Sequence, residues 1–123
     1  MQNKEEIRLL SVVGVTFEGR QEILSDFYNN IYKEGSKNPV ELFLEDDNPH
    51  DSNAIKVSLE VGGKFNDIGY ISKDDNVELR KVFKNIKKSY IQSMGANYKG
   101  VLGLTIAVII SYEDEENEDN VEI

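Results

Sequence analysis

A pair of glycines between two strand-like segments is the feature that most constrains the fold of this chain. Residues 54–61 alternate apolar and polar side chains, a pattern typical of a β-strand that buries one face. Gly62 and Gly63 follow and signal a tight hairpin turn, after which residues 65–71 are predicted to form the partner strand. The sequence therefore predicts an antiparallel hairpin near the middle of the chain.

Further strands and two helices are predicted on either side of this hairpin. A first helix is predicted over residues 20–33, where apolar residues recur at helical spacing from Ile23. A second helix is predicted over residues 75–88, with Ser72 or Asp74 as its cap, and is followed by a loop or short strand. The other predicted strands cover residues 9–15, 40–45 and 101–112. Because strands dominate, we expect a single, mainly β domain with two α-helices, built as a small β-barrel or curled sheet.

The composition excludes several classes of function. The 123 residues include no cysteine, which excludes disulfides, a thiol nucleophile and the zinc sites of fingers or ribbons. The longest strongly apolar run, residues 101–110, is about half of the roughly 20 residues that a membrane-spanning helix needs. The first residues are polar and contain no apolar signal core. We therefore expect a soluble, cytoplasmic protein without a membrane partner.

The net charge of −9 is distributed unevenly along the chain. Residues 113–123 hold seven acidic residues and no base, whereas the other 112 residues carry 16 acids and 14 bases. A segment of one charge sign repels itself and is usually disordered. We therefore expect a folded domain over residues 1–112 and a disordered acidic tail over residues 113–123. The tail either serves solubility or folds back on a basic groove as an electrostatic competitor.

The positive charge is also distributed unevenly, because residues 79–100 carry six of the 14 bases and no acid. Three of these bases, Lys81, Lys84 and Lys88, are spaced to form one stripe along the second predicted helix. Such a stripe is either a solvated helix face or a contact for nucleic acid, and the sequence leaves both interpretations open.

A polar loop, residues 46–53, joins two predicted strands. Its acids and amides lack the glycine and the glutamate that a calcium loop needs at its sixth and twelfth positions. His50 and Asp51 are adjacent, but no nucleophile motif accompanies them. The loop is predicted to be a rigid turn, in which Asn48 and Asp51 bond to nearby backbone groups and Pro49 fixes φ.

Three segments together resemble the HIRAN domain family. They are Val-Val-Gly-Val at residues 12–15, Asn-Pro-His-Asp-Ser-Asn-Ala-Ile at residues 48–55 and Ile-Gly-Tyr-Ile at residues 68–71. The resemblance covers about residues 10–110 and implies a modified OB-type barrel with two helices. Family members occur fused to fork-remodelling translocases or as short proteins in bacteria and phages. The best-understood members bind single-stranded DNA and capture its 3′ end in a small pocket.

The resemblance also implies where such a pocket would lie in this chain. Asp51 would accept a hydrogen bond from the 3′-hydroxyl, Phe17 and His50 would stack on bases, and Gly14 would allow close approach. Asn53 and Tyr70 are expected to be structural, Asn53 as an amide that holds the loop and Tyr70 as a core aromatic. The positions that correspond to the pocket are Val13, Gly14, Val15, Thr16, Phe17, Asn48, His50 and Asp51. The candidate phosphate ligands are Arg20, Lys56, Lys73, Lys81, Lys84 and Lys88.

Three departures from the family pattern keep other functions open. Thr16 replaces a base, His50 replaces a tyrosine, and Leu-Glu-Asp at residues 44–46 replaces Arg-Glu-Pro. A second hypothesis is therefore an adaptor that binds a DNA-processing protein through a barrel whose DNA pocket has decayed. A third is a metal-dependent nuclease or hydrolase that uses Asp46, Asp47, His50 and Asp51. The favoured hypothesis is DNA binding, with no catalytic residue, metal or cofactor.

Overall fold

The computed structural model describes residues 3–113. They form six β-strands and two α-helices, which confirms the predicted mainly β fold. The acidic tail predicted over residues 113–123 lies outside the described residues, apart from the backbone of its first residue. The elements are β1 (Asn3–Val13), α1 (Arg20–Asn30), β2 (Val40–Leu44), β3 (Ile55–Val61), β4 (Lys64–Ile71), α2 (Lys73–Lys81), β5 (Ile86–Ala96) and β6 (Leu102–Glu113).

The strands form one antiparallel sheet in the order β2-β3-β4-β1-β6-β5. The strand β1 pairs with β6 along most of its length and with β4 through its last two residues, Val12 and Val13. The sheet curls, so that its two edge strands, β2 and β5, approach each other. They meet at a bridge between Pro39 and Tyr90, beside which the Ser89 hydroxyl donates a hydrogen bond of 2.8 Å to the Val40 carbonyl. The result is barrel-like, although the described residues form no continuous ladder between β2 and β5.

The predicted central hairpin is confirmed. Val61 pairs with Lys64, and Gly62 and Gly63 between them adopt φ values of 63° and 81°, which favour glycine. Further along β4, a Cβ on Gly69 would collide with the Val13 carbonyl oxygen. Glycine at this position therefore allows the end of β1 to lie directly against β4.

The helix α1 packs on the sheet through Leu24 and Phe27, whose side chains are buried in the core. Burial of each such side chain contributes about 1.5–3 kcal/mol to folding. The predicted helix was three residues too long, because α1 ends at Asn30 and Ile31 is exposed. No helix within residues 3–113 is long and apolar enough to cross a membrane.

The second helix departs most from its prediction. Its N-cap is Ser72, whose hydroxyl accepts a hydrogen bond from the Asp74 backbone N–H, but the helix ends at Lys81 rather than near residue 88. A short 3-10 helix follows, and then β5, which extends to Ala96 and so includes the first part of the segment predicted as a loop or short strand, residues 92–100. The reason is tertiary, since the long apolar strand β6 needs a partner on its second edge and residues 86–96 supply it.

Candidate nucleic-acid interface

A cleft of about 370 Å³ opens where β1 ends, and this size suits a small ligand. It lies between the turn that follows β1, the polar loop before β3, the end of β4 and the start of α2. We call it the terminal cleft. The residues that line it are Val13, Phe17, Arg20, Asn48, His50, Asp51, Ala54, Tyr70, Ile71 and Lys73.

The first wall of the terminal cleft is the turn after β1. Gly14 was predicted to lie inside the first strand, but β1 ends at Val13 and Gly14 follows it directly. Its φ of 75° turns the chain. Its carbonyl accepts hydrogen bonds from the Phe17 backbone N–H at 3.2 Å and from Arg20 Nη1 at 2.8 Å. These bonds fix the position of the Arg20 side chain relative to the strand end.

Arg20 lies between two aromatic rings of the terminal cleft. Its guanidinium carbon lies 5.0 Å from the centroid of the Phe17 ring and 5.5 Å from that of Tyr70. These distances are within the range of cation–π attraction. Phe17 is nevertheless 67% exposed, so its ring is available to stack on a planar ligand.

The second wall is the polar loop, which is a rigid turn as predicted. The Asn48 side-chain oxygen accepts hydrogen bonds from the backbone N–H groups of His50 at 2.8 Å and Asp51 at 3.1 Å. Asn48 thus bridges the residues that follow Pro49, whose ring restricts φ. His50 is exposed at the cleft.

Asp51 is the carboxylate of the terminal cleft. One of its oxygens accepts from the Asn53 backbone N–H and the other from Asn76 Nδ2, each at 2.9 Å. These two bonds, in that order, hold the pKa of Asp51 below its ordinary value, and the charges of Lys73 and Arg80 lower it further. The group is therefore ionised at neutral pH. Each oxygen has one donor here and can accept another from a ligand.

Two residues of α2 hold this loop in place, and sequence reasoning assigned no role to either. Asn76, which supplies a donor to Asp51, is buried. Arg80 donates to the carbonyls of Asn53 and Ala54 at 2.8 Å each and to Asp46 at 2.7 Å. A buried polar residue and a threefold arginine contact therefore tie the loop to the helix across the cleft.

Tyr70 was predicted to be a structural core aromatic, but it is half-buried and lines the terminal cleft. Its hydroxyl donates to Glu45 Oε1 at 2.8 Å, and burial followed by this neighbour raises the pKa of Tyr70. Hydrogen bonds from Asn48 and then Tyr70 lower the pKa of Glu45. A signal for this pair was available, because a partly buried phenol needs a polar partner.

The terminal cleft brings together seven of the fourteen predicted contact residues. Gly14, Val15 and Thr16 belong to the adjoining turn without lining the cleft. Lys56 points elsewhere, because its Nζ lies 3.5 Å from both Glu45 and Asp67. The seven that line the cleft are Val13, Phe17, Arg20, Asn48, His50, Asp51 and Lys73.

The predicted stripe of lysines on the second helix is wrong. Lys81 is the last residue of α2 and pairs with Glu78, Lys84 lies in the 3-10 helix, and Lys88 lies on β5. A stripe at helical spacing requires one continuous helix, and the helix stops before two of the three residues. None of the three lines the terminal cleft.

The acids proposed for a metal-dependent nuclease do not converge on one point. Within residues 3–113, no group of three or more histidine, aspartate or glutamate side chains is placed to hold a metal ion. Asp46 forms an ion pair with Arg80, and Asp51 is bonded to Asn53 and Asn76. The described residues therefore provide no cluster of ligands for the nuclease hypothesis.

Comparison with known proteins identifies the family. The chain is similar to the crystal structure of the HIRAN domain of human HLTF, with a TM-score of 0.61 and 17% identity over 95% of this chain and 85% of that one. No curated protein matches the chain. The sequence model of the HIRAN domain family matches residues 11–111 of this chain. The chain therefore belongs to the HIRAN domain family, whose members are generally DNA-binding modules rather than catalytic domains.

Proposed function

We propose that this chain binds single-stranded DNA and holds the 3′-terminal nucleotide in the terminal cleft. The observation that carries the proposal is the joint placement of an ionised Asp51, an exposed Phe17 ring and the bases Arg20 and Lys73 around about 370 Å³. Each of these groups matches one part of a strand terminus, namely its hydroxyl, its base and its phosphate.

The carboxylate of Asp51 suits a free 3′-hydroxyl. Each oxygen retains an acceptor site, and a hydroxyl that donates to an ionised carboxylate forms a short, strong hydrogen bond. A 3′-phosphate in the same place would bring negative charge against the carboxylate. The terminal cleft should therefore favour a strand that ends in a hydroxyl.

The aromatic residues at the mouth of the cleft suit a nucleobase. Phe17 is largely exposed, and His50 faces the same cleft from the opposite wall. Stacking of a base on an aromatic side chain contributes about 1–3 kcal/mol without regard to base identity. Recognition should therefore depend on the strand end more than on the base sequence.

Arg20 and Lys73 provide positive charge for the last phosphates. Within residues 3–113, neither side chain forms a salt bridge. Each phosphate contact on a single strand lowers the logarithm of affinity by about 0.7 per tenfold increase in salt. Because Arg20 and Lys73 provide two such contacts, we expect a modest affinity for single-stranded DNA that falls moderately as the salt concentration rises.

Fluorescence anisotropy with a 5′-labelled single strand tests the proposal. The full chain should bind a strand that ends in a 3′-hydroxyl more tightly than the same strand with a 3′-phosphate. Asp51→Asn should lose this preference because it removes the negative charge. Asp47→Asn is the matched control, since Asp47 is exposed in the same loop and does not line the cleft. It should keep the preference.

Other outcomes are equally informative. Equal affinity for the two strand ends would contradict capture of the 3′ terminus. A folded chain that binds neither strand would contradict DNA binding and would favour the adaptor hypothesis.

A further inference from the structure

A second, larger cavity of about 770 Å³ lies at the seam between the two edge strands. Beyond the bridge between Pro39 and Tyr90, β2 and β5 separate, and the space between them is open. Leu42, Phe83 and Ile86 give it apolar walls. We call it the seam groove. It is a different surface from the terminal cleft, with which it shares no lining residue.

The seam groove carries more positive than negative side chains. Lys37, Lys87 and Lys88 line it, together with the two acids Glu5 and Glu41. No acid within residues 3–113 forms a salt bridge with any of these three lysines. In a chain with a net charge of −9, this groove has a local excess of positive charge, which attracts acidic groups.

The acidic segment of the chain, residues 113–123, begins beside the seam groove. Glu5 lines the groove and pairs with Ser111 of β6, two residues before the segment. The terminal cleft is farther away, because Val13 lies eight residues along β1 from Glu5, about 26 Å in an extended strand. Residues 114–123 span at most about 33–36 Å. The segment can reach the groove within its first residues but must be almost fully extended to reach the cleft.

We propose that the seam groove binds the acidic segment of the same chain. Its seven acids complement the three lysines, and its Val121 and Ile123 match the apolar walls. Binding there holds the negative charge away from the terminal cleft and leaves Arg20 and Lys73 accessible to phosphate. The proposal concerns a separate surface and does not require that the chain bind DNA.

Paramagnetic relaxation in the full chain tests the proposal. Because the sequence has no cysteine, Asn117→Cys provides a unique site for a nitroxide label. Amide signals of Glu41, Lys87 and Lys88 should lose intensity, and those of His50 and Val13 should keep it. Raising the salt to about 1 M shortens the Debye length to about 3 Å and should restore the lost intensity.

Charge reversal supplies the matched comparison. Lys87→Glu with Lys88→Glu should abolish the intensity loss in the groove. Lys64→Glu with Lys99→Glu makes the same charge change at two exposed lysines outside the groove and should leave it intact.

Several results would overturn the proposal. They are loss of intensity at the terminal cleft, loss spread evenly over the surface, or no loss at all. Intensity loss at the groove amides that persists in the variant with Lys87→Glu and Lys88→Glu would also overturn the proposal. Transfer of the effect to an unlabelled chain in a mixed sample would show that the segment of a second copy occupies the groove. All these measurements are made without DNA, so failure of the proposed function would not alter them.

Discussion

The terminal cleft and the seam groove are both concave surfaces of one small sheet, but different forces hold them in shape. Hydrogen bonds from the buried Asn76 and from Arg80 fix the loop that forms one wall of the cleft. The groove lies between two sheet edges that meet at the bridge between Pro39 and Tyr90, and its positive charge comes from exposed lysines. Under the two proposals, groups held in place by hydrogen bonds bind the strand terminus in the cleft, whereas exposed lysines bind the acidic segment in the groove.

Removal of the Arg80 side chain, which holds the loop of the cleft, should have the largest effect. Arg80→Ala leaves two loop carbonyls without their donor and removes one of the two α2 residues that hold the loop, while the bond from Asn76 to Asp51 remains. We expect a loss of about 2–3 kcal/mol in the free energy of unfolding, since hydrogen bonds to charged groups are strong. Urea unfolding checks this. Lys81→Ala is the control and should cost less than about 1 kcal/mol, because Lys81 has an exposed ion pair.

Overfilling the contact between β1 and β4 should disturb the cleft and not the groove. Gly69→Ala places a Cβ against the Val13 carbonyl, and overpacking of this kind costs about 1–3 kcal/mol. Thermal unfolding should show a lowered midpoint. Gly95→Ala is the matched control, because an added Cβ on this β5 residue meets no atom within 4 Å among the described residues. Equal stability of the two variants would contradict the close approach.

The exposed ring of the cleft should affect binding without affecting folding. Phe17→Ala should weaken single-stranded DNA binding by about 1–3 kcal/mol, the stacking energy of one base. The free energy of unfolding should change by less than about 0.5 kcal/mol, since the side chain is largely exposed. Phe65→Ala removes another exposed phenylalanine, outside the cleft, and should bind DNA as the unaltered chain does.

The smallest effect concerns pH. Because the pKa of Asp51 is lowered in the folded chain, its hydrogen bonds stabilise the fold above the unfolded pKa of about 3.9. This stabilisation is lost as pH falls through the lower, folded pKa. Thermal unfolding in acid should therefore be less pH-dependent in Asp51→Asn. An unchanged acid dependence in that variant would show that the Asp51 bonds contribute nothing to stability.

Local patterns in the sequence predicted the elements whose causes are local. The glycine hairpin at residues 62–63 and the turn around Asn48 depend on neighbouring residues, and both were predicted. The end of α2 at Lys81 was not, because β5 forms to complete a pair with β6. The sequence of residues 75–88 is compatible with one long helix or with a helix followed by a strand. The pairing of β5 with β6 selects the second structure.

The candidate site shows the same division. The resemblance to the HIRAN domain family indicated its first wall and its loop. It did not indicate the role of Arg80, whose three contacts lie 26 to 34 residues away. Lys56 was a reasonable phosphate ligand by residue type, but the fold places Glu45 and Asp67 beside it. Long-range partners decide which charged groups of a predicted site are available.

The most direct measurement of the central claim is an NMR titration of the full chain with a short single strand that ends in a 3′-hydroxyl. Amide shifts should be concentrated at Phe17, His50, Asp51 and Lys73, and the signals of Lys87 and Lys88 should not move. Shifts concentrated at the seam groove, with the terminal cleft unperturbed, would contradict this claim.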